Sequence, residues 1–149
     1  MNTPFRIFAA AVCAFLLGFP AALAGDMPIR HFINLGTAQD ALTIYPRELT
    51  LQIGETYQFV VSNPSKVGHV VAAPEFAATV RTAELTIGSP RVDYPVPGIS
   101  EGISLQPGQM IEWTFTPLAE GVYKFGCDDP VHAKAGMHAR IKVTSQEVL

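Results

Sequence analysis

Two runs near the C-terminus constrain the fold of this chain more than any other feature: Gly121-Val-Tyr-Lys-Phe-Gly-Cys127 and Met137-His-Ala-Arg-Ile-Lys-Val143. Residues two apart share a face of a strand. Tyr123, Phe125 and Cys127 therefore point one way, and Met137, Ala139, Ile141 and Val143 share a face of the second run. Both faces read as inward. A cysteine then ends one core-facing strand and a methionine begins the next, with nine residues, His132 among them, looping between.

The same period of two recurs upstream. Leu49-Thr-Leu-Gln-Ile53 and Tyr57-Gln-Phe-Val-Val61 are joined by a turn at Gly54-Glu55. Ile111, Trp113 and Phe115 alternate with Glu112, Thr114 and Thr116 after a turn at Pro107-Gly108. His69 shares a face with Val71 on a further strand. Several short strands separated by turn signals predict an all-β sandwich or barrel. Pro74 to Leu85 fits a short helix or an irregular strand, and Tyr94-Pro95-Val96-Pro97-Gly98 reads as loop, because each proline removes a donor and restricts its neighbour. No internal repeat or composition shift marks a second domain.

The N-terminus reads as an address. Arg6 precedes an apolar run from Ile7 to Phe19, and Ala22-Leu23-Ala24 ends it with small residues. The expectation is a secretory signal peptide over residues 1–24, cleaved before Gly25, with a single domain over 25–149. An uncleaved anchor is the alternative, although the run is shorter than the roughly 18 apolar residues a span needs. Cleavage removes Arg6 and Cys13. Of the 10 basic residues 9 remain against 13 acidic ones, with no basic run, which argues against nucleic acid or anionic membrane surfaces as partners. No membrane insertion is expected after cleavage.

Maturation leaves Cys127 as the one cysteine, so no internal disulfide can form and a free thiol would face an oxidising compartment. A lone cysteine is ordinarily an inert core residue. Here it stands five residues before His132, which stands five before Met137, and His69 lies far upstream. One thiolate, two imidazoles and a thioether form a soft-to-borderline donor set that suits copper in both oxidation states and suits calcium or magnesium poorly. Zinc accepts thiolate and imidazole, but methionine is a poor zinc ligand. The candidate metal ligands are His69, Cys127, His132 and Met137, for one copper ion cycling between Cu(I) and Cu(II). Apolar Phe125, Val70, Val131 and Ala135 are expected to keep the site dry. His138 alternates outward from Met137 and reads as a solvated surface residue; Trp113 reads as a core anchor.

In these residues the chain resembles the cupredoxins, small blue copper proteins of the plastocyanin and azurin type. The resemblance spans roughly Asp40 to Val143 and rests on Pro46, Gly54-Glu55, Asn63, His69, Pro107-Gly108, Trp113, Gly121, Tyr123, Cys127, His132 and Gly136-Met137. The two equal gaps between the last three ligands resemble rusticyanin's. The resemblance implies a Greek-key β-sandwich, a type 1 copper bound by the four candidate ligands, and one-electron transfer in the periplasm. Redox partners would dock transiently near His132. Relatives often follow the first histidine with Asn or Ser, which helps hold the ligand loop; Val70 stands here, so that hydrogen bond is missing or supplied elsewhere. A copper-binding role in delivery, storage or tolerance is the alternative function. Enzymatic activity is not expected: a second copper centre would need several more histidines, and only His31 and His138 are left over.

Overall fold

The structure, a computed structural model, describes residues 27–88 and 98–145. In chain order the elements are β1 (Ile29–Leu35), β2 (Ile44–Tyr45), β3 (Glu48–Gln52), β4 (Tyr57–Ser62), β5 (His69–Ala72), α1 (Pro74–Ala77), β6 (Val80–Gly88), β7 (Ile103–Leu105), β8 (Met110–Pro117), β9 (Gly121–Cys127), α2 (Pro130–Lys134) and β10 (His138–Thr144). They form two five-stranded sheets, ordered β2-β1-β4-β8-β6 and β3-β10-β9-β5-β7. The pairs β1–β4 and β3–β10 run parallel and the rest antiparallel. The result is the Greek-key β-sandwich that the resemblance implied.

The alternation read from the sequence becomes the core. Ile111, Trp113 and Phe115 of β8 are fully buried, as are Phe59 of β4 and Phe125 of β9. Phe59 meets Phe115 edge-on at 4.8 Å and Phe125 edge-on at 6.1 Å, so one ring ties the two sheets together. Each such pair adds about 0.5–1.5 kcal/mol beyond its buried area. The Trp113 indole donates to Thr82 Oγ1 at 3.1 Å, which satisfies its only polar atom inside this core.

The ambiguous stretch from Pro74 resolves into both alternatives in succession. Proline at the first helical position starts α1, whose Phe76 is fully buried, and β6 then pairs with β8 through an irregularity between Thr82 and Glu84. β1 had no clear sequence signal, because its inward side includes His31 while Phe32 projects outward, 64% exposed. The expected signal segment and Tyr94–Pro97 lie outside the described residues.

Register puts the candidate ligands at one pole. β5 and β9 are antiparallel with Val71 opposite Cys127, and β9 and β10 are antiparallel with Gly126 opposite His138. The start of β5, the end of β9 and the residue preceding β10 therefore meet at one end of the second sheet. No helix among the described residues is long and apolar enough to cross a membrane.

Candidate metal centre

His69 and Cys127 sit at strand ends on inward-facing positions and are 1% and 2% exposed. His132 arrives differently. The sequence suggested a plain loop, whereas the structure forms a short helix, α2, that carries it. Asp129 caps that helix: its Oδ1 accepts from the backbone N–H groups of Val131 at 2.9 Å and His132 at 3.0 Å. Pro130 follows at the first helical position, where its fixed φ suits the turn and its missing N–H costs nothing. Asp-Pro is a legible helix start; the cap assigns Asp129 a structural duty that its charge alone did not suggest.

These elements bring three donor atoms together. His69 Nδ1 lies 3.2 Å from His132 Nδ1, and Cys127 Sγ lies 3.9 Å and 3.5 Å from those two nitrogens. A circle through three points so spaced has a radius of about 2.1 Å, which falls within the roughly 2.0–2.3 Å of metal bonds to imidazole nitrogen and thiolate sulfur. An ion fits among them without moving the backbone. Among the described residues, His69, Cys127 and His132 form the one such cluster of His, Cys, Asp and Glu.

Met137, the fourth candidate, is fully buried immediately before β10. Its backbone links two of the clustered residues: its carbonyl accepts from Cys127 N–H at 3.0 Å, and its N–H donates to the carbonyl of His132 at 3.1 Å. Gly126 makes this approach possible, since a Cβ there would lie 2.8 Å from the Met137 oxygen. Val70's backbone carbonyl accepts from Asp128 N–H at 2.7 Å, extending the β5–β9 pairing into the start of the ligand loop.

Burial lowers the pKa of His69 from the ordinary imidazole value; the neighbouring His132 adds to this and Asp129 opposes it. A neutral ring is the form that binds metal. The Asp129 carboxyl is held below the usual carboxylate range, chiefly by the His132 amide it caps.

The surroundings differ in part from expectation. Phe125 is buried and Val70 half-buried, but Val131 is 70% exposed and Ala135 is exposed too. A helical turn that aims His132 inward turns these neighbours out, so they border the site at the surface. His138 is exposed, and His31 packs against Tyr57 and Phe59 at 5.7 and 5.8 Å. Sequence reasoning missed the polar pair behind His69: Ser65 Oγ lies 2.9 Å from His69 Nε2 and 2.7 Å from Asn63 Oδ1. Asn63 stood among the residues of the family resemblance, but nothing in the linear spacing marks its bond to Ser65.

Comparison with known proteins agrees with this geometry. Residues 32–144 match the family described as copper binding proteins, plastocyanin/azurin family. A curated relative, the copper-resistant cuproprotein CopI of Rubrivivax gelatinosus, is 27% identical over 104 residues, 70% of this chain and 61% of the relative, so the chain spans less than two thirds of that protein's length. Among solved structures, auracyanin B superposes with a TM-score of 0.54 at 23% identity over 80% of this chain and 91% of that one. Auracyanin A of Chloroflexus aurantiacus, described as a "blue" copper protein, gives 0.53 at 21% identity over 79% and 100%. A multicopper oxidase of Campylobacter jejuni gives 0.59 at 10% identity, with 85% of this chain covering 32% of the oxidase. Family match and fold agree: this chain belongs to the plastocyanin/azurin family of copper-binding proteins and is a cupredoxin whose cofactor is a single copper ion.

Proposed function

We propose that this chain is an exported type 1 copper protein that carries single electrons between redox partners, with copper held by His69, Cys127 and His132 and capped by Met137. The observation that carries the reading is the triangle of two imidazole nitrogens and one sulfur, 3.2–3.9 Å on a side, built on strand ends and a capped turn. Copper supplies the one-electron couple in such a site. The protein's part is to hold the donors where both oxidation states tolerate them. Strand pairing fixes His69 and Cys127, Asp129 fixes the turn under His132, and burial favours the neutral His69 ring and keeps water away from the sulfur.

Partners would meet the partly exposed His132, beside Val131 at 70% exposure; Val67, two residues before His69, is 41% exposed. Small apolar contacts suit brief redox encounters. The leader read from residues 1–24 would deliver the protein to the periplasm or beyond. Neither remaining histidine favours a second copper centre, His31 being packed among rings of the first sheet and His138 facing solvent from the second.

The similarity to a copper-resistant cuproprotein supports a second reading, copper handling for tolerance. One experiment separates the two. Copper-loaded protein should show an intense visible thiolate-to-Cu(II) band, absent in Cys127→Ser, together with rapid reversible reduction and slow loss of copper to a competing chelator. Sluggish reduction with fast release to the chelator would favour copper handling.

A further inference from the structure

The hydrogen bonds behind His69 admit only one assignment of protons. Asn63 is 1% exposed and Ser65 3%. The Asn63 amide has two carbonyl neighbours, Val67 O at 2.8 Å and Leu105 O at 2.9 Å. Carbonyls only accept, so the NH₂ of Asn63 must face them and its Oδ1 must face Ser65. That Oδ1 accepts from Ser65 N–H at 3.0 Å and lies 2.7 Å from Ser65 Oγ. The other oxygen near the hydroxyl, Val67 O at 3.1 Å, is likewise only an acceptor. A 2.7 Å contact between Oγ and Oδ1 needs a proton between them and the amide oxygen has none to give, so the hydroxyl proton goes to Asn63 and Oγ presents a lone pair to His69 Nε2 at 2.9 Å. Nε2 must carry a proton to complete the bond. In a neutral ring this leaves the lone pair on Nδ1, the atom that faces His132 and Cys127.

We infer that Asn63 and Ser65 form a buried proton-directing pair that fixes His69 in its Nε2–H tautomer before metal arrives, with Ser65 as a positioning residue for the ligand ring. The inference rests on the copper site proposed above, but the preset tautomer belongs to the metal-free fold. Copper then meets a ring already oriented, with its lone pair aimed at the site. Removing such a partner of a ligating histidine typically costs 10–100-fold in metal affinity.

Nitrogen NMR of the histidine rings in the metal-free full chain, above the pH range of imidazole protonation, reads the tautomer directly. A single Nε2–H form with a slowly exchanging proton is expected at His69. Ser65→Ala should give a mixture of tautomers and lower copper affinity about 10–100-fold in chelator competition, while Ser65→Thr, which keeps the hydroxyl, retains the single tautomer and tight binding. A proton on Nδ1 of His69 in the unsubstituted protein overturns the inference, as does a Ser65→Ala variant with one Nε2–H tautomer and undiminished affinity. The tautomer is read without metal, so failure of this inference is told apart from failure of the copper assignment.

Discussion

The three clustered donors are held by more than strand pairing alone. His69 is gripped from behind by Ser65, Cys127 by strand pairing, and His132 by a helix whose first turn depends on the Asp129 carboxylate. Asp129→Ala removes the acceptor from two amides, so α2 should fray, and both copper affinity and melting temperature should fall. Asp129→Asn keeps a capping oxygen and should retain most of both, a difference that chelator competition and thermal melts would expose. Met137→Leu preserves an apolar side chain of similar size, so it should cost less than about 1.5 kcal/mol in denaturant unfolding. If Met137 supplies the proposed weak sulfur ligand, the same variant should shift the visible band and the reduction potential. An unchanged spectrum would remove Met137 from the ligand set.

At the level of elements, the spacing of β9 and β10 depends on Gly126. Adding a methyl there drives a Cβ to within 2.8 Å of the Met137 carbonyl and 3.0 Å of the His138 side chain. Gly126→Ala should therefore destabilise the fold by about 1–3 kcal/mol in chemical denaturation, and should weaken copper binding because the segment it displaces, Met137, is hydrogen-bonded to both Cys127 and His132. The strands around this centre were legible because burial and alternation coincide in them: Phe125 and Cys127, Ala139, Ile141 and Val143 are all buried. β1 was not, since half-buried His31 and exposed Phe32 blur its period. α2 was missed because five residues are too few for a helical period to emerge, although Asp129-Pro130 carried a capping signal. The ligand types could be read from linear spacing alone; Asn63 and Ser65 could not, because their duty is a buried hydrogen-bond geometry that spacing does not encode.

Over the whole molecule, stability rests on rings shared between the sheets. Phe59 contacts Phe115, Phe125, Trp113 and Phe76, and Phe59→Ala should cost about 3–5 kcal/mol in denaturant unfolding. The rim of this core holds His31 against Tyr57 and Phe59, and burial lowers its pKa from the ordinary 6.5. The unfolded chain then takes up a proton that the folded chain resists. His31 opposes folding as pH falls through about 6.5, and the loss levels off below its folded value. His31→Gln should flatten the acid side of the stability–pH curve when both proteins are copper-loaded, so that His69 does not titrate; parallel curves would show that His31 is not the group responsible. The proposed function requires that two imidazoles and one thiolate at the pole of the second sheet hold the copper. X-ray absorption at the copper edge of the loaded protein tests it directly: the account predicts one sulfur and two nitrogens within about 2.0–2.3 Å of the ion, and a shell of nitrogen and oxygen with no sulfur would contradict it.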